Sequence, residues 1–347
     1  MIKFTPKLLR AFGAGGLLAA AANAADLKHD LYFCVNVSGQ GSVMGSRVAA
    51  PSGLYRSADR QAIEHVGFNN FRTFGLTSDP RDASILLETV IDGIQRSTDR
   101  GKTWRRVTDW TMTEPKGIAF DPNSPDDVYA GLPDGIAVSH DRGQTWRRSH
   151  EGIRRGYTHP IVIDRTKAGR VIAGTELGIY LSEDGARTWR LVQATAKVTY
   201  DLQQSPHAPA VMLAATSADG AWRSDDAGRT WKKIAAVSST HTLHYGRFDP
   251  HDAKRLVLCG WDAGVQVSED GGETWSDRSA GLPNRQIWSV AVDPDIPGRL
   301  YAAPYLQAVH VSDDFGRTWR PQFFEKAIVY DIVFVPRPRH AATASAP

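Results

Sequence analysis

One phrase of eight residues decides how this chain is read: SDDAGRTW, at Ser224–Trp231. It occurs as STDRGKTW at Ser97–Trp104, SHDRGQTW at Ser139–Trp146 and SEDGARTW at Ser182–Trp189. After Trp231 it returns as SEDGGETW at Ser268–Trp275 and SDDFGRTW at Ser312–Trp319. Successive serines are 42, 43, 42, 44 and 44 residues apart, and a fixed period of that size marks a repeat architecture. The third copy departs from S-x-D-x-G-x-T-W, because Gly185 comes one place early and Ala186 holds the usual glycine position.

The residue types explain the phrase. Ser and Asp side chains accept hydrogen bonds from nearby backbone N–H groups and fold a turn, and glycine supplies a positive φ. The Thr-Trp pair is expected to begin a strand, with each Trp burying roughly 150–250 Å². Asp99, Asp141, Asp184, Asp226, Asp270 and Asp314 therefore read as structural parts, as do Trp104, Trp146, Trp189, Trp231, Trp275 and Trp319. Six copies in one hairpin context argue against a catalytic role for these aspartates.

Working outward, one unit shows the grammar of all. A strand at Gly117–Phe120 ends in Asp121-Pro122, where proline stops sheet pairing. A second follows at Val128–Ala130, a third at Ile136–Ser139 leads into the phrase, and Thr145–Arg148 makes the fourth. Four short strands per unit make a propeller blade. Forty residues before Ser97, Ser57-Ala58-Asp59 is a copy that has lost its Gly and Trp, which gives seven corners. The first blade, from Leu31, lacks a first strand, and Val329–Val335 has no strands after it. The expected fold is all-β: a single seven-bladed β-propeller of four-stranded blades over residues 25–336, closed by the C-terminal strand completing the N-terminal blade. Cys34 and Cys259 then fall on second strands two blades apart, too far to bridge, and are expected to be buried free thiols.

Composition limits the function classes. The 347 residues hold 41 Lys and Arg against 38 Asp and Glu, a formal charge of +3. Lys3, Lys7 and Arg10 supply that excess, and the chain after residue 24 has 38 of each sign. A strongly basic nucleic-acid binder is excluded. The basic start, the apolar run Ala11–Ala22 and Ala22-Asn23-Ala24 have the order of a cleaved signal peptide over residues 1–24. The expectation is export to the periplasm or beyond, with no integral membrane segment left after cleavage, a monomer, and a disordered tail over 337–347.

The phrases resemble the Asp-box, or BNR, repeat, across roughly residues 31–336. That repeat occurs in sialidases, xyloglucan-cleaving glycosidases, sortilin-type receptors and photosystem II stability and assembly factors. The layout is most similar to the exported, single-propeller assembly-factor-like members. The sialidase arginine motif is missing, since Phe71-Arg72-Thr73-Phe74 shares only the Phe-Arg pair. Xyloglucanase-like enzymes work between two propellers, and this chain has residues for one.

Function must come from a site. The residue six before the proline that closes each first strand can be read around the ring, with Arg165 replacing proline once. It is Phe74, Lys116, His159, Tyr200, His244, Trp288 and Tyr330. These residues are expected to converge on one funnel mouth and bind a glycan or a protein or peptide segment. Asp201 and Asp331, one place further on, are the candidate carboxylates if the protein is instead a glycoside hydrolase. Docking as an assembly factor on a membrane complex is a third reading. Asp92, Asp134 and Asp219 precede glycines and read as turn residues, with Glu176 and Asp262 one place earlier. Ser38–Ser52 is a long Gly/Ser-rich connection at the same face, with Met44 and Arg47 placed to reach inward. Arg or Lys follows five of the six box tryptophans and is expected to guard the outer strands. His241 and His244 lack a clear third ligand, so neither metal nor cofactor is expected.

Overall fold

The computed structural model describes residues 26–37, 51–70, 72–149, 151–153 and 156–338. The expected leader, most of the Ser38–Ser52 connection and the end of the tail lie outside the described residues. Among the described residues every regular element is a strand. Five sheets have four antiparallel strands each, and a sixth has seven. Thr73–Ser78, Leu86–Val90, Gly93–Ser97 and Arg105–Arg106 make one such four-stranded blade, running outward in chain order.

The seven-stranded sheet is two blades joined by one strand, Arg320–Pro336. Its first part pairs with Gln307–Ser312, as in Val309 opposite Phe323, and forms the outer edge of the last blade. Its second part pairs with His29–Val37, from Ala327 opposite Val37 to Pro336 opposite His29. The C-terminal strand is thus the innermost strand of the N-terminal blade, and the ring has seven blades. Phe324, with φ 60, lies between the two halves and sets its ring edge-on to Phe33 and Tyr55. Arg337 extends the closure: its amide donates to the Lys28 carbonyl and its guanidinium pairs with Asp30 at 2.8 Å.

The six complete boxes share one hydrogen-bond pattern. In the second blade Ser97 Oγ donates to Asp99 at 2.7 Å and accepts from the Gly101 amide at 2.8 Å. Thr103 gives Asp99 both its amide, at 2.9 Å, and its hydroxyl, at 2.6 Å. These bonds shorten the fourth strand. Thr145 spends its amide on Asp141, so pairing starts at Arg147 and not at Thr145, and the outer strand is Arg147–Arg148. Each box also places two consecutive residues at positive φ, such as Arg142 and Gly143. In the third copy Gly185 and Ala186 take these two roles, and the Ala186 amide still reaches Ser182 Oγ at 2.9 Å.

The core lies between blades. Each box Trp packs on the blade before its own: Trp231 against Ile172 and Leu181, Trp189 against Tyr129 and Val138. Only Trp189 and Trp231 are buried; the other four are half-buried. The degenerate first box lacks the Trp and keeps an interblade ion pair that complete boxes also make, as Arg142 does with Asp79 at 2.6 Å. Arg60, 1% exposed, donates to Asp293 at 2.8 Å and to Asp295 at 3.2 Å in the last blade, and its guanidinium lies over Phe334. Cys34 and Cys259 are buried free thiols in different interblade cores.

Candidate functional site

The innermost strand of each blade carries an irregularity at one position. Register slips between Thr73 and Gly75, Thr158 and Ile161, Thr199 and Asp201, Leu243 and Tyr245, and Ile287 and Ser289. On the closing strand Asp331 and Val329 have partners in the ladder, and Tyr330 between them has none. In the remaining blade Gly131 serves two neighbours, accepting from the Lys116 amide and donating to the Gly117 carbonyl. The extra residue of a β-bulge is freed from the alternation of the strand and can be re-aimed. In these seven bulges it is Phe74, Lys116, His159, Tyr200, His244, Trp288 and Tyr330, and all seven line one cavity of about 660 Å³.

The rings make a nearly closed chain of contacts. Tyr330 stands edge-on to Phe74 at 5.5 Å and to Trp288 at 5.6 Å. Trp288 meets His244 at 5.1 Å, His244 meets Tyr200 at 5.4 Å, and Tyr200 meets His159 at 5.3 Å. Lys116 occupies the remaining gap, its Nζ 3.2 Å from the centre of the Phe74 ring. Burial is the main cause of three shifts here: it lowers His159 to about 3, His244 to about 4 and Lys116 to about 8. Both histidines are therefore neutral at pH 7, and Lys116 keeps its charge beside Glu114, 3.6 Å away.

Three aromatic residues outside that series enlarge the site. Trp261 and Tyr305 contact each other and Trp288, and Tyr157 contacts His159. Tyr157 also lines the cavity. Tyr305 occupies the connection between second and third strands, a position at which only acidic residues attract attention in the sequence.

Below the ring, Asp201 and Asp331 line the cavity with Arg247 between them. Asp201 is filled with donors: Arg247 at 2.6 Å, the Gly246 amide at 2.9 Å and Gln203 at 2.9 Å. Burial raises its carboxyl even so, with Arg247 opposing. Asp331 is 3.6 Å from Arg247 and accepts from its neighbour's amide, Ile332, at 2.9 Å. Burial pushes it up to about 6, again against the pull of Arg247. Gln203 and Arg247 also line a second cavity, with Phe248 and Phe334. A signal for Arg247 exists in the sequence. The residue three beyond each ring position is Thr77, Ala119, Val162, Gln203, Arg247, Ala291 or Val333, and only Arg247 is charged.

The other acids of this face are engaged in turns and ion pairs. Asp92 pairs with Arg106 at 3.0 Å, Asp134 with Arg148 at 2.5 Å and Asp219 with Lys233 at 2.5 Å. The second residues after Trp104, Trp146 and Trp231 thus hold hairpin turns. Asp262 accepts from Gln286, and Glu176 lines the funnel. None of the box aspartates or tryptophans lines it. Among the described residues no three His, Cys, Asp or Glu side chains converge as a metal site.

Comparison with known proteins agrees with the architecture. The family model described as BNR/Asp-box repeat matches residues 95–106, the box of the second blade. No curated protein matches the sequence. Among solved structures the fold is similar to a GH74 enzyme from Niastella koreensis, with TM-score 0.66 and 18% identity, over 84% of this chain and 54% of that one. An ancestral GH74 enzyme gives TM-score 0.64 and 15% identity, over 84% and 48%. YCF48 bound to D1 peptide gives 0.58 and 17%, over 77% of this chain and 94% of that one. The chain spans about half the length of these GH74 structures and nearly all of YCF48. The likeness is one of fold: BNR/Asp-box repeats on a β-propeller.

Proposed function

We propose that this propeller is a non-enzymatic binding scaffold that holds a segment of another protein in its aromatic funnel. One observation carries the reading: seven bulged positions, one per blade, turn their side chains into a single cavity. Half-buried aromatic rings beside polar groups suit the alternating apolar and polar surface of an extended peptide. The structure of YCF48, similar over most of this chain, holds a D1 peptide, which supports a peptide as the ligand class. A glycan is the other ligand such a ring suits. The leader at residues 1–24 suggests that binding takes place outside the cytoplasm. If the bound segment belonged to a membrane complex, the same chemistry would make the protein an assembly factor.

The likeness to GH74 enzymes and the raised carboxyl of Asp331 favour a glycoside hydrolase as second reading. Asp201 weakens it, because three donors already occupy that carboxylate and Arg247 binds it directly. Screening the purified chain against a displayed peptide library and a glycan panel separates the readings. Enrichment of peptides by the wild type and not by a Tyr200→Ala, Trp288→Ala, Tyr330→Ala triple variant supports the scaffold. Glycan turnover lost in Asp331→Asn would support the enzyme instead.

A further inference from the structure

We propose that the funnel floor takes a cationic side chain of the bound segment, a lysine or arginine, with its charge between the aromatic ring and Asp331. The proposal rests on the funnel being a binding site, and it names the chemistry that site selects.

Asp331 is the first observation. Its Oδ1 meets the Ile332 amide and Arg247, while none of the described residues donates a hydrogen bond to its Oδ2. The side chain is one-fifth exposed and lines the cavity. Asp201, under the same Arg247, has no such vacancy. A carboxylate oxygen open to a largely desolvated cavity gains most from a charged donor.

The charge of the lining is the second. Asp201, Asp331 and Glu176 stand against Lys116 and Arg247, with both ring histidines neutral, so the lining is one positive charge short of balance. Lys116 does not make up that deficit at Asp331. It is paired with Glu114, whereas the charges acting on Asp331 are those of Arg247 and Asp201.

The third observation concerns the rings. Both cations in the cavity already lie on aromatic faces, Lys116 over Phe74 and Arg247 over Tyr245, at 3.2 and 4.5 Å. An aromatic face attracts a cation more strongly when water is excluded. Tyr330, the residue before Asp331, and Trp288, in contact with Tyr330, offer the same chemistry in the same cavity, so that an aliphatic stem can lie along them while the head donates to Oδ2.

Small probes test this without knowledge of the natural segment. n-Butylammonium, which has the stem and N–H donors of a lysine, and neutral 1-butanol are titrated into the full chain, with acetate as the anionic control, following intrinsic fluorescence or ligand NMR. The expected result is millimolar n-butylammonium binding, with 1-butanol and acetate at least about tenfold weaker. Asp331→Asn, with its melting temperature checked, should weaken n-butylammonium about tenfold and leave 1-butanol unchanged. n-Butylammonium binding should also fade as the pH drops through about 6, where Asp331 takes a proton. The groups facing that carboxyl are Arg247, Asp201, Tyr245 and Cys34. Burial raises Asp201 as well, so the fade is assigned to Asp331 by its absence in Asp331→Asn. Equal binding of n-butylammonium and 1-butanol, stronger acetate binding, or no n-butylammonium binding in the millimolar range overturns the proposal. Library peptides that need the ring but show no enrichment of Lys or Arg overturn it too, and leave the scaffold standing. Loss of all ring-dependent binding removes both.

Discussion

The Asp boxes and the funnel ring both recur around the propeller, and they recur differently. The boxes repeat their side chains: Ser, Asp and Thr make the same bonds in six blades, as in Ser224, Asp226 and Thr230. The ring repeats a backbone bulge and varies the side chain, through Phe, Lys, His, Tyr and Trp. Their carboxylates differ in the same sense. Thr103 and Thr274, with backbone donors, hold Asp99 and Asp270 down at about 2, while burial pushes Asp331 up to about 6. Repeated chemistry marks what every blade needs in order to fold. On the proposed function, repeated geometry with varied chemistry is where a ligand would be told from its competitors.

The sharpest way to break this contrast is to truncate one aromatic of each kind. Trp231→Ala should lower the stability to urea by about 3–5 kcal/mol, because the indole is buried between two blades. Tyr200→Ala, on the half-buried ring, should cost no more than about 1–2 kcal/mol. Similar losses at the two positions would erase the distinction.

The first box tests how much an interblade ion pair contributes where no box Trp is present. Arg60→Ala strands the buried Asp293 and should cost about 3–5 kcal/mol, with part of it recovered by adding Asp293→Asn. A loss below about 1 kcal/mol in the same urea titration would show the pair to be incidental.

Smaller effects sharpen the role of the glycine. At Gly143, with φ 76, an added Cβ would come within 2.6 Å of Leu87 in the previous blade. Gly143→Ala should therefore cost about 2–4 kcal/mol from strain and overpacking together. Ala186→Gly loses a buried methyl worth about 0.8 kcal/mol and relieves backbone strain of similar size, so its midpoint should scarcely move. A large loss at Ala186 would mean that the third box is held by packing on that methyl.

The last test in order of size is a pH dependence. Burial alone raises Glu88 to about 8, so the folded state holds a proton that the unfolded chain releases near 4.5. Its contribution is full below about 4.5 and declines as the pH rises towards about 8. Glu88→Gln should gain on the wild type across that window and hold its advantage above it. A constant difference across the window in urea melts would contradict this. The box aspartates act in the opposite direction, since their stabilisation is present above the ordinary carboxylate range and is lost as pH falls towards about 2.

Much of this was legible in the sequence for a physical reason. Box spacing fixes blade length, and the strands left unmatched at each end identify the closing strand. The proline that ends each inner strand serves as a ruler, so an offset of six found all seven ring residues. What the ruler missed came from elsewhere on the strands. Arg247 lies three residues deeper, and Trp261 and Tyr305 come from the second strand and the turn after it. Arg60 was hidden because its partner, Asp293, is in the last blade and far along the chain. The incomplete burial of four box tryptophans, and the loss of Thr145 to its turn, depend on packing and hydrogen bonds that a motif does not state.

The central claim is that the funnel ring binds a ligand and the boxes only build the blades. Peptide-library enrichment by the wild type and by the Tyr200→Ala, Trp288→Ala, Tyr330→Ala variant, with melting temperatures recorded for both, tests it most directly. The account predicts that the variant stays folded with a similar melting temperature and loses the enriched peptides. A folded variant that enriches the same peptides as the wild type would contradict it.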